Sequence, residues 1–149
     1  MKKLTDYMAE ELSAAFEKAG YDSSYGKVGV SNRPDLCEYQ CNGAMAGAKA
    51  YKKAPFMIAD EVVAKLTDNK MFSKIESVKP GFININICED YLAGYLNEMS
   101  ETEKFGYFNA DKEKTVIVDY GGANAAKPLH VGHLRSAVIG ESVKRINTF

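Results

Sequence analysis

The sequence has no CxxC pair. Its three cysteines, Cys37, Cys41 and Cys88, are odd in number and scattered. Neither a disulfide framework nor a zinc site is supported, and reduced thiols in a cytoplasmic protein are expected. No apolar run approaches the ~18 residues of a membrane span. The N-terminus MKKLTDYMAEEL carries two lysines but no apolar stretch, because Asp6, Glu10 and Glu11 interrupt it, so it is not a secretory leader. Basic tracts are lacking too. The formal net charge is -1, from 19 Lys and Arg against 20 Asp and Glu. The acidic excess lies in residues 1–110 and a small basic excess in 111–149. Nonspecific phosphate binding is therefore weak, and any nucleic-acid contact of the first part has to be local and shape-specific. Internal repeats and low-complexity tracts are absent as well.

What is present is a composition that can bury a core: 46% hydrophobic and 26% charged residues in 149. LTDYMAEELSAAFEKAG reads as an amphipathic helix, with Leu4, Met8, Leu12, Ala15, Phe16 and Ala19 on one face and Gly20 as its stop. The stretch from Tyr21 to Gly43 is rich in Gly, Ser, Asn and Pro, and predicts a loop with one or two short strands. AMAGAKAYKK predicts a small-residue helix suited to close packing. Pro55 suits the start of a helix over PFMIADEVVAKLTDN, with Ile58, Val62 and Leu66 on one face. GFININI is the clearest strand. Ile83, Ile85 and Ile87 point one way, and Phe82, Asn84 and Asn86 the other. The isoleucines are expected against helices, and the aromatic ring and amides on display. EDYLAGYLNEMSE predicts a helix, and SETEKFGYFNADKEK a charged linker. Tyr39 and Gln40 are assigned no role.

The pattern then changes. TVIVDYGG, residues 115–122, is an apolar run ending in two glycines and predicts a buried strand of a parallel sheet. The loop ANAAKPL and a helix over HVGHLRSAVIGESVKRI follow. Strand, glycine-bearing loop and helix form the opening half of a nucleotide-binding unit. One strand and one helix cannot cover both faces of a sheet, so the expectation is a second domain cut after its first βα element. The exposed tail, with Val116, Val118, Val138 and Ile139, is then expected to promote self-association or disorder.

The chemistry concentrates in KPLHVGHLRS. A helix N-terminus at the carboxyl end of a strand favours phosphate. Gly132 lets the backbone or a flat base come close. His130 and His133 can donate to phosphate oxygens and stabilise charge developing in phosphoryl or nucleotidyl transfer, and Lys127 adds a point charge. The bland alternative is a helix cap with two surface histidines. A metal site is disfavoured, because no third ligand is near in sequence.

These residues carry a family resemblance. HVGH resembles the HIGH signature of class I aminoacyl-tRNA synthetases. DYGGANAAKPLHVGHLRSAVIGE resembles the arginyl-tRNA synthetase version, and EYQCNGAMAGAKA and PGFININI are similar to that family's N-terminal domain. The resemblance implies an α+β N-terminal domain, an antiparallel sheet with helices, over residues 1–112. The first βα unit of a truncated Rossmann-like catalytic domain follows over 113–149. It implies an arginine–tRNA ligase, which joins ATP and arginine into arginyl-adenylate and passes the arginyl group to the 3′ end of tRNA(Arg). In most of the family the first step proceeds only with tRNA bound. His130, Gly132, His133 and Lys127 would bind ATP, with His130, His133 and Lys127 catalytic. Asp119 and Asn124 would hold arginine, the carboxylate being a fit partner for guanidinium. Gly121 and Gly122 replace serines frequent in the family, leaving backbone contacts there. Phe82 and Asn84 would meet an unstacked D-loop base, a ring for stacking and an amide for a base edge. The implied cofactor is ATP with its Mg, with nothing tightly bound and no metal site. The implied parent is a monomer in the cytoplasm, away from membranes, and the 149-residue piece is expected to be inactive alone. Two alternatives remain open: a stand-alone tRNA-elbow binding module, and another HxGH nucleotidyl transferase joining ATP to a small molecule.

Overall fold

The computed structural model describes residues 2–106, 115–122 and 127–148. Asn124, assigned to the arginine site, lies outside them. The chain divides into two compact units, residues 1–106 and 107–149.

The first unit is a four-stranded antiparallel sheet with helices. Helix α1, Leu4–Lys18, forms where the heptad-like spacing places it, and its Met8, Leu12 and Phe16 are fully buried. The Asp6 carboxylate accepts from the Lys3 N–H at 3.3 Å, closing the first turn with an acidic group at the positive end of the helix dipole. A 3-10 turn, Ser23–Tyr25, leads to β1, Val28–Val30, and β2, Tyr39–Cys41. Helix α2, Gly43–Tyr51, packs as closely as its small residues allow. A Cβ on Gly43 would lie 1.9 Å from the Tyr25 carbonyl oxygen, so only glycine fits. Helix α3, Pro55–Val63, starts with proline at its first position and buries Ile58 and Val62. Strands β3, Phe72–Val78, and β4, Phe82–Ile87, follow, then α4, Glu89–Glu101.

The strand order is β1-β2-β4-β3, so β4 is central and paired on both sides. Ile83 and Ile85 are fully buried and Ile87 nearly so, sharing a core with Met8, Leu12, Phe16, Ile58 and Val62. Each such side chain contributes roughly 1.5–3 kcal/mol on leaving water. Strand β3 is not evident from the sequence pattern. A register irregularity between Phe72 and Lys74 interrupts its alternation, so an extra residue hides the period of two.

In the second unit, helix α5 runs Val131–Thr148. Residues 115–122, predicted as a buried strand, are instead unpaired and mostly exposed, with Ile117 at 88%. A strand needs a neighbour to satisfy its N–H and C=O groups, and no described residue supplies one. Tyr120 nonetheless docks on α5: its ring lies where a Cβ on Gly140 would fall, 2.1 Å from Cγ, and its hydroxyl donates to Glu141. Arg145 Nε reaches the same carboxylate at 2.9 Å. Together these partners, Tyr120 first, hold Glu141 down to about 2.

Candidate functional site

Two arrangements, one in each unit, carry the residues singled out by the sequence. In the second, His130 is the residue just before α5. Its carbonyl accepts from the His133 N–H at 2.9 Å and the Leu134 N–H at 3.3 Å. Its ring turns back over the first turn, where Nδ1 accepts from the Gly132 N–H at 3.1 Å. His133 reciprocates, its Nδ1 accepting from the His130 N–H at 3.2 Å. This is the logic of a capping box, with two imidazoles in place of hydroxyl and carboxylate.

The reciprocal bonds favour one tautomer of the neutral rings. A neutral imidazole that accepts at Nδ1 carries its proton on Nε2. Both rings therefore keep an Nε2–H donor for something outside the helix. The ring centroids are 4.0 Å apart, so the two donors belong to one locus. A Cβ on Gly132 would meet His130 Cε1 at 2.9 Å, so a side chain there would push the ring out of its bond to the Gly132 N–H. The bland alternative, a cap with two surface histidines, fits this geometry, and the same bonds orient both rings.

A cavity of about 600 Å³ opens at this point, lined by His130, His133, Gly121, Gly122, Leu134 and Ser136 among others. That is within the range of small-ligand sites. Two N–H donors at a helix N-terminus beside bare glycine backbone make a place where an anionic, flat-ended ligand is stabilised. Lys127 and Asp119 are exposed and are not among the described lining residues. The structure brings together His130, Gly132 and His133, and leaves Lys127 and Asp119 outside. Among the described residues, no three His, Cys, Asp or Glu side chains gather as a metal would need.

In the first unit, the sheet face opposite the core carries Phe82, Asn84 and Asn86, as alternation requires. Phe82 is half-buried. Asn84 is not on display as expected: it is 6% exposed. The reason is a residue that sequence reasoning passed over. Gln40, paired with Asn84 across β2 and β4, donates from Nε2 to Asn84 Oδ1 at 2.9 Å. On β3 the register partner of Asn84 is Glu76, which Lys74 meets at 2.8 Å. The only signal for Gln40 in sequence was its position in a short run flanked by turn residues, and register alone shows which strand it faces.

Cys41 is fully buried, and burial pushes it up to about 11. No described helix is long and apolar enough to cross a membrane.

Comparison with known proteins bears on both units. A family model for the arginyl tRNA synthetase N terminal domain matches residues 2–87. A second, for the catalytic domain of class I (R) tRNA synthetases, matches residues 96–149. The arginine–tRNA ligase of Agathobacter rectalis is 62% identical over 150 residues, an alignment covering 100% of this chain and 25% of that protein. That of Alkaliphilus oremlandii is 52% identical over 149 residues, with the same coverage of 100% and 25%. The chain thus spans about a quarter of the length of these relatives. Among solved structures, arginyl-tRNA synthetase from Plasmodium falciparum superposes with a TM-score of 0.61 at 24% identity, covering 100% of this chain and 29% of that one. The Thermus thermophilus arginyl-tRNA synthetase gives 0.54 at 24% identity, covering 97% and 23%. At that identity the likeness speaks for the fold.

Proposed function

This chain belongs to the arginyl-tRNA synthetase family, and on that premise we propose that it forms the opening quarter of an arginine–tRNA ligase. In this reading the 600 Å³ cavity takes the phosphates of ATP. The observation that carries it is the reciprocal histidine cap, which leaves two Nε2–H donors at one locus.

In the reaction, an arginine carboxylate oxygen attacks the α-phosphorus of ATP. The new O–P bond forms as the bond to the β-phosphate oxygen breaks, and pyrophosphate leaves. The tRNA 3′ end then attacks the arginyl carbonyl, and AMP leaves. His130 and His133 donate to the phosphate oxygens on which charge grows, which lowers the barrier of the first step. Gly132 gives the adenine room, since a side chain there would clash with His130 itself. Lys127 assists as a point charge, which requires the loop to bring it inward from its exposed position. Asp119 and Asn124 are assigned to arginine, and Phe82 and Asn84 to a D-loop base of tRNA(Arg). Magnesium arrives with ATP as part of the substrate. A cytoplasmic location follows from this role, and the three free thiols support it.

The test is made on the polypeptide extended to the length of its relatives. Arginine- and tRNA-dependent exchange of pyrophosphate into ATP is expected, falling about 10²–10³-fold in His133→Ala, as when one charge-stabilising donor is removed. Exchange indifferent to arginine would overturn the reading. The 149-residue chain alone is expected to form no arginyl-tRNA above background. A second reading, an RNA-binding module acting alone, is favoured by the first unit having its own closed core. An antibody against residues 1–106, applied to extract of the source cells, separates the two by the mass of the natural polypeptide.

A further inference from the structure

Asn84 is buried yet incompletely satisfied. Among the described residues its Oδ1 meets Gln40, and nothing accepts from its Nδ2. No buried side-chain nitrogen or oxygen there lacks a partner, so Nδ2 keeps contact with solvent. The two amides joined in this way present one free donor, on Asn84, and one free acceptor, on Gln40.

The ground on either side of the pair is unequal. Towards β3 stands the Glu76 carboxylate, register partner of Asn84 and ion-paired to Lys74. Towards β1, the register partner of Gln40 is Gly29, where an added Cβ would meet nothing within 4 Å. The open space there is a cavity of about 580 Å³, lined by Ser24, Lys27, Gly29, Asn32, Gln40 and Asn42 among others. A cation, a hydroxyl and three amides are what a nucleotide asks for: charge for its phosphate, partners for its ribose and its base edge. No carboxylate lines the cavity.

We propose that an RNA strand on this face runs from Phe82 and Asn84 towards β1, and that the nucleotide next to the one read by Asn84 enters the β1 cavity. Gln40 is the hinge of this arrangement. It is a positioning residue for Asn84, whose amide it holds in one orientation, and it contacts the neighbouring nucleotide with its free oxygen. Running the other way would bring a phosphate over the Glu76–Lys74 ion pair, whose cation is already engaged by the carboxylate, whereas Lys27 at the β1 cavity has no carboxylate beside it in the lining. The proposal rests on the reading of Phe82 and Asn84 as an RNA site.

The 149-residue chain is titrated with a tRNA(Arg) transcript, with 2′-hydroxyl acylation read nucleotide by nucleotide across the D loop. Two adjacent nucleotides are expected to be protected. Gly29→Ile fills the cavity mouth on an edge strand that favours β-branched residues. It is expected to weaken binding about tenfold and to release one of the two nucleotides, with its melting temperature unchanged. Gln40→Met keeps the bulk, frees the Asn84 amide, and is expected to release both. Lys27→Ser is expected to lower the salt slope of binding by about 0.7, the loss of one phosphate contact on a single strand. If Phe82→Ala abolishes protection while Gly29→Ile leaves affinity and both protections intact, the RNA site stands and the β1 track is wrong. If Phe82→Ala changes nothing, the RNA reading falls and this proposal with it. Should Gln40→Met fail to fold, Gly29→Ile still decides.

Discussion

His130 and His133 show how a helix start can prepare a ligand site. Each ring gives its Nδ1 to a backbone N–H of the same turn, so neither can rotate without breaking a bond. The expected result in this chain is that both neutral imidazoles carry the proton on Nε2, read from ¹⁵N ring shifts above the histidine titration range. An Nδ1–H tautomer on either ring would show that the cap does not hold it. A second residue-scale prediction concerns Glu61. Lys53 and then Tyr21 bond its carboxylate and hold it below the ordinary 4.5. A folded value below the unfolded one means stability that is fully present above about pH 4.5 and drains as pH falls through the folded value. Glu61→Gln is therefore expected to show a shallower loss of urea midpoint between about pH 5 and pH 3 than the parent chain. Parallel curves would show that the Lys53–Glu61–Tyr21 cluster contributes nothing measurable in acid. The cluster is partly exposed, so its contribution at neutral pH is small.

At the scale of elements, close approach decides what each segment tolerates. The N-terminus of α2 sits on the 3-10 turn with no space to spare, whereas β1 has open space beside Gly29. Gly43→Ala must push a Cβ against the Tyr25 carbonyl at 1.9 Å, with backbone on both sides unable to yield. Overpacking of this kind costs about 1–3 kcal/mol. For a domain of this size that lowers the melting temperature by about 4–8 °C per kcal/mol. Gly29→Ala is expected to melt no lower than the parent chain. If the two variants melt alike, the packing of α2 is looser than described. The same elements show what could be read without a structure. Helix α1, the start of α3 and the isoleucine face of β4 were legible because each repeats apolar residues at its own period, although α3 ends at Val63, six residues before the predicted Asn69. Strand β3 was not, since one irregularity moves Phe72 and Lys74 to opposite faces. The burial of Asn84 was not legible either. It depends on Gln40, 44 positions away in the chain. The run 115–122 looks like a strand because its residues are apolar and β-branched, but a propensity cannot supply a partner strand. In the HVGH motif the residue types were readable, and the tautomers and the exclusion of Lys127 from the cavity wall were not.

For the whole molecule, the contrast between the two units matters most. The first buries a core of large apolar side chains; among the described residues of the second, only Gly140 is buried. On α5 alone, Val131, Leu134, Val138, Ile139 and Ile146 are each more than half exposed. They recur at helical spacing, so they form a continuous surface rather than isolated spots. Surfaces of this kind seek cover. In a chain a quarter the length of its relatives, the cover available in solution is a second copy. The 149-residue chain is expected to self-associate with rising concentration in sedimentation velocity, while residues 1–106, which hold their own core, stay monomeric. Val138→Ser with Ile139→Ser is expected to shift the association towards monomer without altering the melting of the first unit, since neither residue packs in its core. A monomer at every concentration, with the α5 amides protected from hydrogen exchange, would mean that the second unit covers its own apolar surface.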